Sequence, residues 1–544
     1  MLTEHTPTPC ADAALTPPTA DDHVVLGPSS PHLRLNPPPN SAISALRAHL
    51  RGSSLLFVGR LMSKWLNFAV QVLVVRVLSQ SDYGALAYVL SIVALMQQMA
   101  TFGMDGTVAR FLPIYQEHRR YDKACGTILL SLASVALLGV TLVVVACLTQ
   151  NVLEQHVIRD RHVLILLVVL AFLVPLQSVD NVLLGMFAVL ARPATIFVRR
   201  HVLAPVLKLL AILLVMLGGA GLFQIAAAYL AAEVIGLAIG GAMLWHILRQ
   251  QEFFSHFHWR EIRLPSRELF AFSLPLLSSD LLILVVPVIE VMLLEHFCSL
   301  DQVAAYRVVI PIALLIGLVK ASFTPLFLPT AARMLARRNQ EGINNLYWQT
   351  TLWLSVLSYP IFILAFVAAE PVIDTLYGLR YASSAAILMV VAIGEYFDAA
   401  LGINALVLKT LGRMKYVMLI NLATLTINIL ASLALIPAHG AMGAAIAASL
   451  TWVAHSMLNH WCLISTTHIR VIDASSIRAC CLIALTTLAA WCVTQVPGLP
   501  IYSSIAVAVF AAATVLRFNR RLLRASEIFP EARRVPILRW ILGF

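Results

Sequence analysis

Apolar residues in this chain fall into long, nearly unbroken runs, not into a strand-like alternation or short amphipathic stretches. Fourteen runs lie near residues 55–78, 84–104, 124–147, 162–184, 200–217, 222–247, 268–294, 303–328, 346–369, 381–407, 414–437, 441–465, 474–496 and 499–516. Each is long enough to cross a hydrocarbon layer of about 30 Å as a helix. Lipid leaves backbone groups no partner but each other, so only helices and closed barrels span it. The pattern therefore predicts an all-α integral membrane protein with about 14 transmembrane helices. The joining turns are short, as at SQSDY (79–83) and Pro437–Ala438–His439–Gly440.

The first run carries the most informative exception to this pattern. In GRLMSKWLNFAVQ, from Gly59 to Gln71, the polar residues Arg60, Lys64, Asn67 and Gln71 recur at i, i+4, i+7 and i+11. At 3.6 residues per turn all four share one helix face. Charge at bilayer depth is costly and normally faces a protein interior or a watery cavity, so this face predicts the wall of a cavity for an anion. The competing reading is snorkelling to the membrane surface. It suits Arg60, near the helix start, better than Lys64, a turn deeper. Asn67 and Gln71 either bond a polar ligand or pack against the seventh run. Ser91, Gln98 and Asp105 recur every seven residues in the second run, as an adjoining wall or as polar helix packing. In the eighth run, Lys320 is expected at the depth of Arg60 and Lys64, as a cation from the opposite half. Arg307 lies toward the other end of that run, with Pro311 between them as a kink site.

Six acids also fall within the runs: Asp180, Glu233, Asp280, Glu290, Glu395 and Asp398. They equal the intramembrane cations in number, so only arrangement can give a cavity its sign. Some acids pair with cations, and others are placed to bind a proton or sodium ion for coupling. Glu233, Asp180 and Asp280 are the coupling candidates. Asp280, between Pro275 and Pro287, reads either as a gating bend or as a structural partner of Lys64 or Lys320.

Composition sharpens the class. The chain is 60% apolar, only 12% charged, and carries a net charge of +11. In a membrane protein such basic excess marks cytoplasmic loops and gives no ground for nucleic-acid binding. With the N-terminus placed inside, only Arg159, Arg161 and Arg380 of the 38 lysines and arginines fall in outer loops. Both termini are thus expected in the cytoplasm. The eight cysteines show no metal-ligand spacing, and no metal site or cofactor is expected. Residues 1–50, rich in proline, read as a disordered cytoplasmic tail, and residues 518–544 as a cytoplasmic segment on the membrane surface.

The second half is a faint copy of the first. Ala87–Tyr88 recurs at Ala305–Tyr306, FLPIY from Phe111 as FLPTA from Phe327, and GLFQIAAAYLAAE from Gly221 as GAMGAAIAASLTW from Gly440. Six runs separate the copies, so the repeat is parallel, about an axis along the membrane normal, with a site expected between the halves. The expected organisation is two pseudo-symmetric six-helix lobes, 51–250 and 251–465, and two further helices in 466–517.

In this order and spacing, LSQSDYGALAY, FGMDGTVARFLP, FSLPLLSSDLL, FLPTAARMLARRNQEGINNLYWQT, LYGLRYASSAAIL and LGRMKYVMLINLATLTINILASLALIPAHGAMGAAIAA give a chain that resembles the bacterial polysaccharide transporters. These are O-antigen and exopolysaccharide flippases of the multidrug/oligosaccharidyl-lipid/polysaccharide superfamily. The likeness covers about residues 50–465, with Glu290 standing where aspartate is expected. It implies movement of a polyprenyl-pyrophosphate-linked oligosaccharide from the inner to the outer leaflet of the bacterial cytoplasmic membrane. Its partners would be membrane lipids and the glycosyltransferases and polymerase of the same pathway. Arg60, Lys64, Asn67, Gln71, Gln98, Arg307 and Lys320 would then serve the substrate. A cation-coupled multidrug antiporter of the same superfamily is the first alternative, but the stripe on the first run has the wrong sign. A membrane polymerase or glycosyltransferase is the second. The longest outer loop, Leu148 to Arg161, holds only Glu154 and Asp160, too little for a catalytic domain.

Overall fold

A computed structural model describes residues 39–523 apart from 157–159, 191–192, 220, 251–261, 338, 468–473 and 498–499. The chain divides into Met1–Arg51 and Gly52–Phe544. In the first unit only the backbone from residue 39 is described, and it is helical. The rest of the predicted tail, and the surface segment after residue 523, lie outside the described residues. Helix α1, Pro39–Val77, thus begins within the segment read as tail. Proline at a first helical position and the stretch ISALRAHLRG both favour that start.

Helices follow in close succession: α2 (Gln80–Thr101), α3 (Met104–Glu117), α4 (Tyr121–Leu148), α5 (Gln150–His156), α6 (Arg161–Ala171), α7 (Leu173–Leu190) and α8 (Pro193–Ile196). A π-helical turn, Phe197–Leu203, runs directly into α9 (Ala204–Leu217), then α10 (Leu222–Gln250) and α11 (Ser266–Phe297). The remainder is α12 (Leu300–Arg307), α13 (Ile310–Ala313), α14 (Leu318–Ala336), α15 (Gln340–Val367), α16 (Ala369–Tyr377), a 3₁₀ turn (Leu379–Tyr381), α17 (Ser384–Leu401), α18 (Asn404–Thr410), α19 (Met414–Thr466), α20 (Ala474–Thr494) and α21 (Ser503–Leu523).

Nine of the described helices or helix runs are long and apolar enough to cross a membrane, and a tenth crossing is formed by α12 to α14, bent by 46°. Helix α19 breaks at Gly440 (φ 57°, ψ −132°). Asn428 Nδ2 donates to Thr451 Oγ1 at 3.1 Å, so the chain doubles back there as a hairpin. With α1, α11 and α21, the arrangement is consistent with about fourteen crossings. Many large apolar side chains point outward, among them Leu137, Leu217, Leu419 and Phe510, as a lipid-facing surface requires.

Local structure repeats between the halves. Ser79 caps α2 by accepting from Asp82 N at 3.1 Å, and Ser299 caps α12 by accepting from Gln302 N at 3.4 Å. Helices α4 and α15 are both 28 residues long. The second crossing breaks at Phe102–Gly103, both at positive φ, and its counterpart is interrupted between Arg307 and Leu318, bending between Ala313 and Leu318. That second break explains why a single helical wheel fails for Arg307 and Lys320: Pro311 sits inside the interruption.

The halves meet closely at one end of the bundle. Gly84 of α2 backs onto Leu300 of α12, where an added Cβ would lie 2.0 Å from the Leu300 carbonyl oxygen. Two arginines reach across reciprocally. Arg76, at the end of α1, donates through Nε to the Leu376 carbonyl at 2.8 Å and through Nη2 to that of Thr375. Arg380 donates through Nη1 to the Leu78 carbonyl at 2.8 Å and through Nη2 to that of Val75. Each guanidinium satisfies carbonyls that a helix end leaves unpaired. Elsewhere Glu268, at the start of α11, accepts from Tyr115 Oη (2.5 Å) and Lys123 Nζ (2.8 Å).

Candidate substrate cavity

A cavity of about 260 Å³ lies between the halves, lined by Arg60, Leu61, Ser63 and Lys64 of α1, by Arg200 and His201 of the π-helical turn, and by Leu318, Ala321 and Ser322 of α14. It is smaller than the ~300–1,000 Å³ of sites for drug-sized ligands. Arg60, Lys64 and Arg200 are exposed to it, while His201 is buried in its wall. Gly59 lets α1 approach the turn: an added Cβ would stand 2.7 Å from Phe197 and 2.8 Å from His201. From Arg60 to Arg76 is sixteen residues, roughly 24 Å at ~1.5 Å each, so the cavity and the arginine-fastened end are separated by most of a bilayer's hydrocarbon depth.

Among the described residues, no carboxylate lies within ion-pair distance of Arg60, Lys64 or Arg200. Three other cations within the crossings are matched. Arg199 pairs with Asp180, Lys208 with Glu233 at 3.8 Å, and Lys320 with Asp398. Paired charges hold the bundle together, whereas a group of cations without acids repels itself until an anion arrives.

The sequence-predicted residues divide accordingly. Arg60 and Lys64 come together at the cavity. Asn67 turns back to its own helix, donating to the Ser63 carbonyl at 2.7 Å. Gln71 donates to Tyr83 Oη of α2 at 2.8 Å. Gln98 is half-buried in α2. Arg307, half-buried at the end of α12, stands within electrostatic range of Tyr83, Tyr306 and Glu290. Lys320 sits apart from the expected cation pair, because its ammonium is held by Asp398. Asp180 and Glu233 are each in an ion pair, and the Asp280 side chain lies outside those described. Glu290 is buried, accepting from Tyr306 Oη at 2.6 Å and Asn428 Nδ2 at 2.7 Å.

The residues that sequence reasoning passed over are Arg200 and His201. FVRRHVL opens the fifth run and reads as a basic loop boundary, and nothing in it announces a π-helical turn. A larger cavity of about 500 Å³ between α15, α17 and α20 is walled by Trp348, Phe362, Tyr396, Trp491 and aliphatic side chains. It has no charged lining group and offers nothing to an anion.

The Lys320–Asp398 pair makes a stability prediction. Its side chains are 26% and 13% exposed, so Asp398→Asn is expected to cost about 2–3 kcal/mol, somewhat below the ~3–5 of fully buried pairs. Lys320→Met combined with Asp398→Leu is expected to recover most of the loss. Thermal melting of the detergent-solubilised protein checks both.

Fold and cavity together define a multi-pass membrane protein with a transporter architecture. The chain belongs to the polysaccharide biosynthesis protein family, whose model matches residues 49–335, just over half of its length. The MatE family model matches residues 275–433. Among solved structures, the chain is similar to the lipid II flippase MurJ in an inward closed conformation (14% identity, TM-score 0.64, covering 86% of this chain and 99% of that one). It is also similar to an inward-facing multidrug resistance MATE family transporter of the MOP superfamily (13%, TM-score 0.62, 74% and 94%). A third is a MOP superfamily transporter from Pyrococcus furiosus, described for a binding pocket of reversed polarity (14%, TM-score 0.56, 77% and 95%). At these identities the likeness is one of fold. No curated protein matched the chain in a sequence comparison.

Proposed function

We propose that the protein is a flippase of the bacterial cytoplasmic membrane. On this reading it carries a polyprenyl-pyrophosphate-linked oligosaccharide from the inner to the outer leaflet by alternating access, both termini being cytoplasmic. The observation that carries the reading is the cavity whose cations, among the described residues, lack carboxylates, while Arg199, Lys208 and Lys320 have them. The headgroup enters from the cytoplasmic side, where Arg60 and Lys64 replace the water that its phosphates lose; without such partners, desolvation is prohibitive. The lipid tail remains in the bilayer. The end fastened by Arg76 and Arg380 is then the outer gate.

An inside-negative potential drives anions outward by about 2.3 kcal/mol per charge per 100 mV. Two net charges gain roughly 4–5 kcal/mol on that basis, so proton or sodium coupling assists without being obligatory. A multidrug antiporter of the same superfamily would need an acidic site for its cationic cargo, and the cavity has the opposite sign.

The test is reconstitution. Purified protein in liposomes loaded with a radiolabelled polyprenyl-diphosphate oligosaccharide is expected to expose the sugar to a membrane-impermeant glycosidase over time, while ethidium efflux stays at the level of empty liposomes. Ethidium efflux without movement of the lipid-linked sugar would overturn the reading in favour of the antiporter.

A further inference from the structure

The π-helical turn gives the cavity a wall that the α1 stripe does not supply. It carries three consecutive basic residues, Arg199, Arg200 and His201. Neighbours on a regular helix point about 100° apart, so a basic triplet cannot all face one ligand. Here the labour is divided. Arg199 is 2% exposed and turns away from the cavity onto Asp180 of α7. The next two residues line the cavity opposite Arg60 and Lys64.

Space for the Arg199 guanidinium is specifically provided. At Gly240 of α10, an added Cβ would lie 2.7 Å from Arg199 Nε. That Nε is buried with no hydrogen-bond partner. Burying a charge pair with an unsatisfied donor is costly. The return is positional, because holding Arg199 inward fixes the rotation of the turn and aims Arg200 and His201 at α1. π-helical turns concentrate at functional sites for such reasons. Donors then stand on two walls, the cations Arg60 and Lys64 on one and the Arg200 guanidinium with the His201 imidazole on the other, an arrangement suited to two linked phosphates.

We infer that Arg200 and His201 are the second half of a diphosphate-binding site, and that Arg199, held by Asp180 and admitted by Gly240, is its positioning residue. This rests on reading the cavity as a headgroup site. The shared chemistry is a diphosphate, whether on a lipid or free.

The experiment measures binding to the full-length protein in lipid nanodiscs by calorimetry, with farnesyl diphosphate, farnesyl monophosphate and inorganic pyrophosphate as probes. Wild type is expected to bind farnesyl diphosphate at least about tenfold more tightly than the monophosphate, and R200Q or H201Q to lose about tenfold and most of that preference, as for a charge-assisted hydrogen bond. R200K is expected to keep most of the affinity. Pyrophosphate binding within threefold of the farnesyl compound assigns the free anion as source, and much weaker binding assigns the lipid headgroup; either keeps the ligand set.

D180N acts through the turn, so it is expected to weaken wild type about as R200Q does and to add nothing in an R200Q/H201Q background. A merely structural role would add an independent loss. If D180N does not fold, G240A presses on the same guanidinium without changing charge and is read the same way. R200Q and H201Q binding like wild type while R60Q does not would overturn the inference and leave the cavity reading standing. No diphosphate binding by folded wild type would overturn both.

Discussion

Lys64→Glu is expected to abolish delivery of the lipid-linked sugar, leaving less than about one per cent of wild-type flux with protein levels unchanged. Two unit charges about 4 Å apart interact with roughly 4 kcal/mol at an effective dielectric near 20. Reversing the sign at residue 64 turns that attraction into a cost of similar size. Lys64 is exposed to the cavity, and screening by water reduces the effect. Even a net change of about 3 kcal/mol in headgroup binding is more than a hundredfold. Lys64→Arg keeps the charge and is expected to keep transport. The contrast is Lys320, whose partner is Asp398: Lys320→Met is expected to lower stability before it lowers substrate affinity. Surface polysaccharide in cells, flux in proteoliposomes and immunoblotted protein separate the two effects. Flux within threefold of wild type for Lys64→Glu would remove this residue from the site.

How far these features can be read before the fold is known depends on their range in sequence. The membrane class and the order of the crossings are local properties, since each run of apolar residues reports on itself. The clustering of Arg60 and Lys64 is local as well, because a spacing of four residues is about one helical turn. The repeat was legible in Ala87–Tyr88 and Ala305–Tyr306, and the second crossing of each half is interrupted, after Thr101 in one and between Arg307 and Leu318 in the other.

Partners are a different matter. Lys320 and Asp398 are 78 residues apart, and Gln71 meets Tyr83 only because α1 and α2 fold back on each other. No periodicity in either segment encodes those contacts. The π-helical turn is invisible for another reason. Its single extra residue per turn shifts the face that Arg200 and His201 present, and a wheel drawn at 3.6 residues per turn misplaces both. A cation in a membrane run therefore signals a site only once the acids that neutralise its neighbours have been located.

Gly84→Val is expected to force apart the end of the bundle where the two halves touch, and to reduce transport at least tenfold. The obstacle is backbone, not side chain: an added Cβ at residue 84 would sit 2.0 Å from the Leu300 oxygen, 2.7 Å from its carbonyl carbon and 3.2 Å from its Cα. No rotamer change relieves such a clash, so α2 and α12 must separate. Overpacking of this kind costs about 1–3 kcal/mol or more, and 2 kcal/mol displaces a two-state equilibrium nearly thirtyfold. Arg76→Ala with Arg380→Ala attacks the same contact from the other side, removing the guanidinium groups that cap the facing helix ends. Both changes are expected to favour a state open at this end and to slow the return that reloads the cavity. Spin labels at Ser81 and Asp301, exposed on the two sides of the contact, report the change by electron–electron resonance in a cysteine-free background. A longer mean distance in both variants fits an outer gate closed by backbone contact and reciprocal arginines. An unchanged distance distribution alongside normal flux would mean that this contact is a permanent seam and that the gate lies elsewhere.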